Sequence, residues 1–212
     1  MNLDYLFRHP ERVASLTVQH LALSGTALLL AIVVAIPLGI AAARWQRLTL
    51  PILGTLGVLY TIPSLAFLAF LIPSLGIGRT PALLVLVVYA QLFLVRNLVA
   101  GLRGVDRATL EAAAGQGMTA WQQFRLVRWP LALPTVIAGV RTAAVSTIAL
   151  ATVAAWISAG GLGTLLFEGI TRDDPSRILT GTVAISAIAL AADGLLRLAE
   201  RSTAIARARR GA

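Results

Sequence analysis

Long uncharged apolar runs, separated by short segments that carry arginine, set the pattern of this chain. Leu21 to Ala43 holds 23 residues without a charge, enough for a helix to cross about 30 Å of hydrocarbon. Leu48 to Gly78 is uncharged for 31 residues and is punctuated by Pro51, Pro63 and Pro73. That predicts one crossing with a kink, or a crossing followed by a short re-entrant piece. Thr80 to Val95 supplies 16 uncharged residues, lengthened when Arg96 snorkels. Thr142 to Phe167 supplies 26, and Ile178 to Ala192 supplies 15 more, extended when Asp193 is accepted inside. The pattern predicts an all-α integral membrane protein, a single transmembrane domain over 1–212. Its spans are expected near 20–43, 50–73, 80–98, 134–157 and 178–198. A polar stretch with Asp4, Arg8, His9, Glu11 and Arg12 precedes the first run, and no small-residue cleavage site follows a short apolar core, so the first span reads as an uncleaved anchor.

Composition narrows the function classes. AVILMFWYC residues make up 58% and charged residues only 13%, against about 25% charged in an ordinary soluble domain. A soluble globular enzyme and a disordered chain are both excluded on that balance. With no Cys there is no thiolate nucleophile and no Cys-bound metal. His9 and His20 are read as surface residues near the outer end of the first span. The formal charge of +9 is carried by arginine alone, since the chain has no Lys. An odd number of spans puts the termini on opposite sides. With the N-terminus outside and the C-terminus inside, 13 arginines fall on inner segments and 5 on outer ones, which is the arrangement the positive-inside rule favours. The charge is thus an orientation signal, and no nucleic-acid partner is expected. Asp193, the one acid well inside a span, has Arg197 at i+4 as its expected partner.

The polar stretch between the third and fourth spans, about 99–133, carries the most information. Asp106 is placed to cap a short helix through Ala108 to Ala114, with Gly115 or Gly117 as the stop. Thr119 and Gln122 form a capping box that opens a second helix, which is expected to end near Pro130. Trp121, Phe124 and Val127 share one face of it, beside Arg125 and Arg128. That apolar stripe either lies on the protein's own spans and the leaflet or docks a soluble partner.

The spacing Glu111-Ala112-Ala113, three residues, Gly117, nine residues, then Val127, Trp129 and Pro130 resembles the EAA loop of permease subunits in ABC importers. It departs from that pattern by Val127 for Ile and Trp129 for Leu. Thr61 to Ala66, Ile72-Pro73, Gly76 to Gly78, Tyr89, Arg96-Asn97, Gly139 to Ala143 and Ile157 to Gly163 are similar to the osmoprotectant branch. That branch often has Pro in the stretch matching Leu92–Val95, and its absence here implies a straighter third span. The resemblance implies the MetI-like fold of type I importers in a bacterial inner or plasma membrane. Its expected partners are a second permease subunit, identical or homologous, cytoplasmic ATPase subunits, an external binding protein and membrane lipid. ATP and Mg would sit on the ATPase, for a chain without Lys has no G-x-x-x-x-G-K-[ST] loop, and no cofactor is expected here. Glu111, Ala112, Ala113, Gly117, Val127 and Pro130 become coupling candidates. Glu111 would meet either a basic groove residue of the ATPase or Arg125 or Arg128 within the loop.

The branch implies a quaternary ammonium solute such as glycine betaine, choline or carnitine. An amino acid such as methionine is the alternative. Tyr60, Tyr89 and Trp156 are candidate cation–π faces or interfacial belt residues, with Thr61, Ser64, Gln91, Asn97 and Ser158 as polar lining. No basic residue is expected deep inside the spans. A self-sufficient channel or carrier would need ionisable residues along a path, and only Asp193 qualifies. Gly160 to Gly163 reads either as a flexible hinge into a short outer helix or as a tight turn that needs glycine.

Overall fold

The computed structural model describes residues 3–203, which are helical nearly throughout, with no strand among them. Arg207, Arg209 and Arg210, three of the arginines assigned to the inner side, lie outside the described residues. A short α1 (Asp4–Arg8) leads into α2 (Pro10–Arg44), with Pro10 at the first helical position, where a missing N–H costs nothing. Then come α3 (Gln46–Thr61), α4 (Ser64–Leu75), α5 (Arg79–Arg103), α6 (Arg107–Gly115) and the single turn α7 (Ala120–Gln122). A π-helical segment (Gln123–Arg128) joins α7 to α8 (Trp129–Ala154), which ends in a 3-10 turn (Ala155–Ile157). Helices α9 (Gly163–Thr171) and α10 (Pro175–Ser202) complete the order.

Helix α5 is the centre of the bundle, packed on α2 at one side and α8 at the other, while α10 leans on α8 and α9. On α2 the buried positions include Leu16, His20, Ser24, Ala27, Ala31, Ala35, Gly39 and Ala42, a stripe spaced every three or four residues that Val13 and Leu23 flank. Its small residues let backbones approach, which is how helices associate where lipid is as apolar as the core. A Cβ on Gly39 would overlap Leu98, and one on Gly139 would overlap Asn97. Leu29, Val33, Leu50, Val58, Leu190 and Leu195 point outward and are exposed.

Among the described residues, α2, α5, the rod Ala120–Ile157 and α10 are each long and apolar enough to cross a membrane. The pair α3–α4 qualifies only jointly, and it is bent by 93°. The run of three prolines thus yields the kinked or re-entrant pair that its spacing suggested, through one of the three alone. Pro51 and Pro73 sit inside α3 and α4, and Pro63 alone makes the break. Ile62 before it is extended, φ −65° and ψ 127°, as the clash with a following proline ring requires.

The helix expected to end near Pro130 does not end there. It runs on into α8, because the six residues before Trp129 adopt the wider π turn. Proline in an α-helix lacks one N–H and strikes the carbonyl four residues back; a π segment shifts that carbonyl and absorbs the mismatch. Since α5 also continues to Arg103, the non-helical connections of the loop shrink to Gly104–Asp106 and Gln116–Thr119.

Candidate functional site

Two regions collect the candidate residues: the loop around α6 and the break between α3 and α4. In the loop, Asp106 stands at the N-cap of α6, but its side chain makes no capping hydrogen bond. The helix stops instead through backbone geometry. Gln116 N–H donates to Ala112 O at 3.1 Å, Gly117 N–H to Ala114 O at 2.9 Å and Met118 N–H to Ala113 O at 3.2 Å. Gly117 carries φ +81°, a left-handed conformation that glycine adopts without a Cβ penalty. The Thr119–Gln122 capping box forms in both directions, at 2.8 and 3.3 Å.

Ala113 is buried against the π segment, whereas Glu111 and Ala112 are exposed. Glu111 pairs with neither Arg125 nor Arg128; its partner is Arg107, one turn back at 2.7 Å. Both ends of that pair are well exposed, so it contributes little to stability and leaves the carboxylate within reach of another protein. Trp121 stacks on Phe124 at 5.8 Å, and Phe124 meets Trp129 at 6.2 Å. Phe124 and Trp129 pack on Leu98, Leu102 and Ala132. Trp121 is 66% exposed. The apolar stripe thus divides: its inner part lies on the protein's own helices, and its tip is free. Val127 and Pro130 are half-buried.

At the break, Tyr60 in the last turn of α3 meets Tyr89 of α5 with ring centroids 5.5 Å apart. Two rings that the sequence reading passed over complete the cluster: Phe93 lies edge-on to Tyr60 at 5.3 Å, and Phe67 is 6.2 Å from Tyr89. Phe93 sits four residues beyond Tyr89, so helical phase alone was available to find it. The Tyr89 hydroxyl donates to Ile62 O and so pins the break. Tyr60 is 37% exposed, Tyr89 only 5%. Thr61, exposed, donates back to Val58 O at 2.7 Å, and Ser64 is half-buried at the start of α4.

The remaining candidates lie elsewhere. Asn97 is two turns further along α5, donates to Phe93 O at 2.8 Å and touches Gly139. Gln91 is buried between helices, donating to Ala31 O and Val87 O at 3.0 and 3.2 Å. Trp156 is 52% exposed on the 3-10 turn.

Two interior features depart from the sequence reading, and a third takes the glycine-requiring turn among its alternatives. His20 is fully buried rather than superficial, with Nε2 3.0 Å from Ile148 O. Asp193 does meet Arg197 at 3.4 Å, but the shorter contact is with Arg141 of α8 at 3.1 Å, and Arg141 also reaches Glu200 at 2.9 Å. A basic residue therefore does lie within α8, neutralised by two acids of α10. The segment Gly160–Gly163 is a packed turn. Gly160 and Gly161 both hold φ +84°, a Cβ on Gly160 would meet Gln19, and one on Gly161 would meet His20.

The family described as "Binding-protein-dependent transport system inner membrane component" matches residues 35–205. The chain belongs to that family. It is a multi-pass membrane permease subunit of an importer and not an enzyme. The "Glycine betaine/carnitine/choline transport system permease protein OpuCB" of Bacillus subtilis is 42% identical over 185 residues, 87% of this chain and 85% of the relative. The "Carnitine transport permease protein OpuCB" of Listeria monocytogenes is 43% identical, over 92% of this chain and 91% of its own. The "Osmoprotectant import permease protein OsmW" of Salmonella typhimurium is 40% identical, covering 92% and 93%.

In fold, the chain is similar to the inward-facing MetNI methionine ABC transporter, with TM-score 0.74 and 20% identity over 90% of this chain and 97% of that one. An amino acid ABC transporter crystallised with histidines gives TM-score 0.75 and 18% identity, covering 95% and 98%. The resemblance drawn from the EAA loop and its flanking motifs is borne out, as is the MetI-like helical fold.

Proposed function

We propose that this chain is the pore-forming permease of an ATP-driven importer for a quaternary ammonium osmoprotectant such as glycine betaine, choline or carnitine. The observation that carries the reading is its likeness, at 40–43% identity over most of its length, to permeases named for those solutes. In this reading it works in a bacterial inner membrane, N-terminus out and C-terminus in, beside a second permease subunit. ATP and Mg belong to the partner ATPase, and an external binding protein delivers the solute. Glu111 and Ala112, on the exposed face of α6, meet a groove of the ATPase. Ala113, Gly117, Val127 and Pro130 shape the lever behind them, so ATPase closure moves α8 through the continuous rod.

Tyr60 and Phe93 offer ring faces to a trimethylammonium group, each contact worth about 0.5–2 kcal/mol, and Tyr89, buried behind Tyr60, holds that ring in place. That suits a transit site, which must release what it binds. Thr61 and Ser64 line the same break, while Asn97 and Trp156 lie further along the path. Replacing Tyr60 or Tyr89 by Leu in the reconstituted complex should lower the initial rate of betaine or choline uptake several-fold. Tyr89→Phe, which keeps the ring and loses only the hydroxyl bond to Ile62, should lower it less. Trp45→Leu, at the start of α3, should leave uptake near the unsubstituted rate. Equal losses in all four variants would remove the aromatic path from the proposal.

A further inference from the structure

Where α2 and α5 end and the loop begins, the structure forms an open hollow of about 560 Å³ lined by Arg44, Arg103, Arg107 and Arg128, with Ile40 and Phe124 on its apolar wall. That is the size of an ordinary ligand site. A second hollow shares Ile40, Arg44, Phe124 and Arg128, so the two form one basic recess. Arg107 is paired with Glu111 at 2.7 Å, and Arg44 lies 5.9 Å from the centre of the Trp45 ring. Among the described residues no carboxylate lies within ion-pair distance of Arg44, Arg103 or Arg128. Asp106, the other acid of this segment, opens on a separate hollow with Thr109 and Thr135. Arg12, Arg141 and Arg177, by contrast, each have an acid of this chain beside them.

The recess is also built rather than incidental. Arg103 donates to Ala42 O at 2.7 Å, Thr49 Oγ1 at 2.6 Å and Ala43 O at 3.2 Å, which fixes its guanidinium between the ends of α2 and α5 without neutralising it. Ile40 lies one turn before Arg44 on the apolar part of α2, so the arginines of the recess adjoin the apolar run of that helix. Guanidinium groups with an apolar wall beside them match a phosphate joined to an acyl chain. We propose that the recess binds the phosphodiester headgroup of an anionic phospholipid from the leaflet on the loop's side. The lipid ties the ends of α2 and α5 to the π segment through Arg128. The site stands apart from the solute path and does not depend on which solute is carried.

Native mass spectrometry of the full chain, released from detergent after incubation with phosphatidylglycerol or phosphatidylcholine, tests this. The unsubstituted chain should retain one phosphatidylglycerol and little phosphatidylcholine. The double variant Arg44→Gln, Arg128→Gln should retain phosphatidylglycerol on the order of tenfold less, given the attraction each surface arginine adds. Arg103 is left in place because it also holds helix ends. The double variant Arg44→Lys, Arg128→Lys should keep most of the binding. Arg8→Gln with Arg172→Gln, which removes the same charge elsewhere, should keep all of it. Helical circular dichroism of each variant checks folding, and the Lys variant keeps the test valid should the Gln variant unfold. The proposal is overturned by equal retention of the two lipids or by an equal loss in the Arg8/Arg172 variant. Displacement by millimolar inorganic phosphate, which would mark a free-anion site, overturns it too, as does loss of the lipid whenever the ATPase is bound.

Discussion

Gly139 and Asn97 bring α8 and α5 together so closely that a single methyl group has no room. A Cβ on Gly139 would overlap Asn97 Cβ, the stiff base of a side chain rather than its flexible end. Gly139→Val should therefore destabilise the bundle by about 1–3 kcal/mol, the usual cost of overpacking. Gly25→Ala meets nothing within 4 Å and should be neutral or gain about 0.5–1 kcal/mol in helix stability. Thermal melting in detergent separates the two, and equal melting temperatures would contradict the packing described. His20 shows what was legible at this scale and what was not. Its spacing from Leu16, Ser24, Ala27 and Ala31 places it on the buried stripe, so helical phase held the answer that residue type obscured. Its partner Ile148 O, 128 positions away, is a tertiary fact that local spacing does not encode.

Elements were read well where local chemistry decides and less well where two local rules compete. The capping box at Thr119 formed as its residues require. Pro130, by the same local logic, should have stopped a helix, yet tertiary packing of Phe124 and Trp129 on Leu98 and Ala132 favours continuation, and the π turn removes the clash. Arg141 is the counterpart on α8: the i+4 rule found Arg197 for Asp193, but the shorter contact crosses to another helix. Gly117 carries the sharpest test of the loop as a lever. At φ +81° a β-branched residue is strained in the backbone whatever space surrounds it. Gly117→Val should misplace α6 relative to the rod while leaving the long helices intact. Copurification of the ATPase and ATP-dependent uptake should both fall, with the amount of chain in the membrane unchanged. Unimpaired docking and transport would show that the turn at Gly117 does not set the coupling.

At the scale of the whole molecule, the apolar runs and their prolines give the helical membrane fold and the α3–α4 bend, while the shared interior charges emerge only once helices pack. Orientation remains a matter of charge: the 13-to-5 arginine division predicts that a reporter active only in the cytoplasm works after Ala212 and fails before Asp4. The opposite pattern would reverse the positive-inside assignment and place α6 on the wrong side for an ATPase. Solute choice tests the account most directly. The chain, its ATPase and its binding protein are reconstituted in vesicles, and accumulation of labelled glycine betaine, choline, carnitine and methionine is followed with and without ATP. The account predicts accumulation of a trimethylammonium compound that requires both ATP and the binding protein. Accumulation of methionine with indifference to all three trimethylammonium compounds would contradict it.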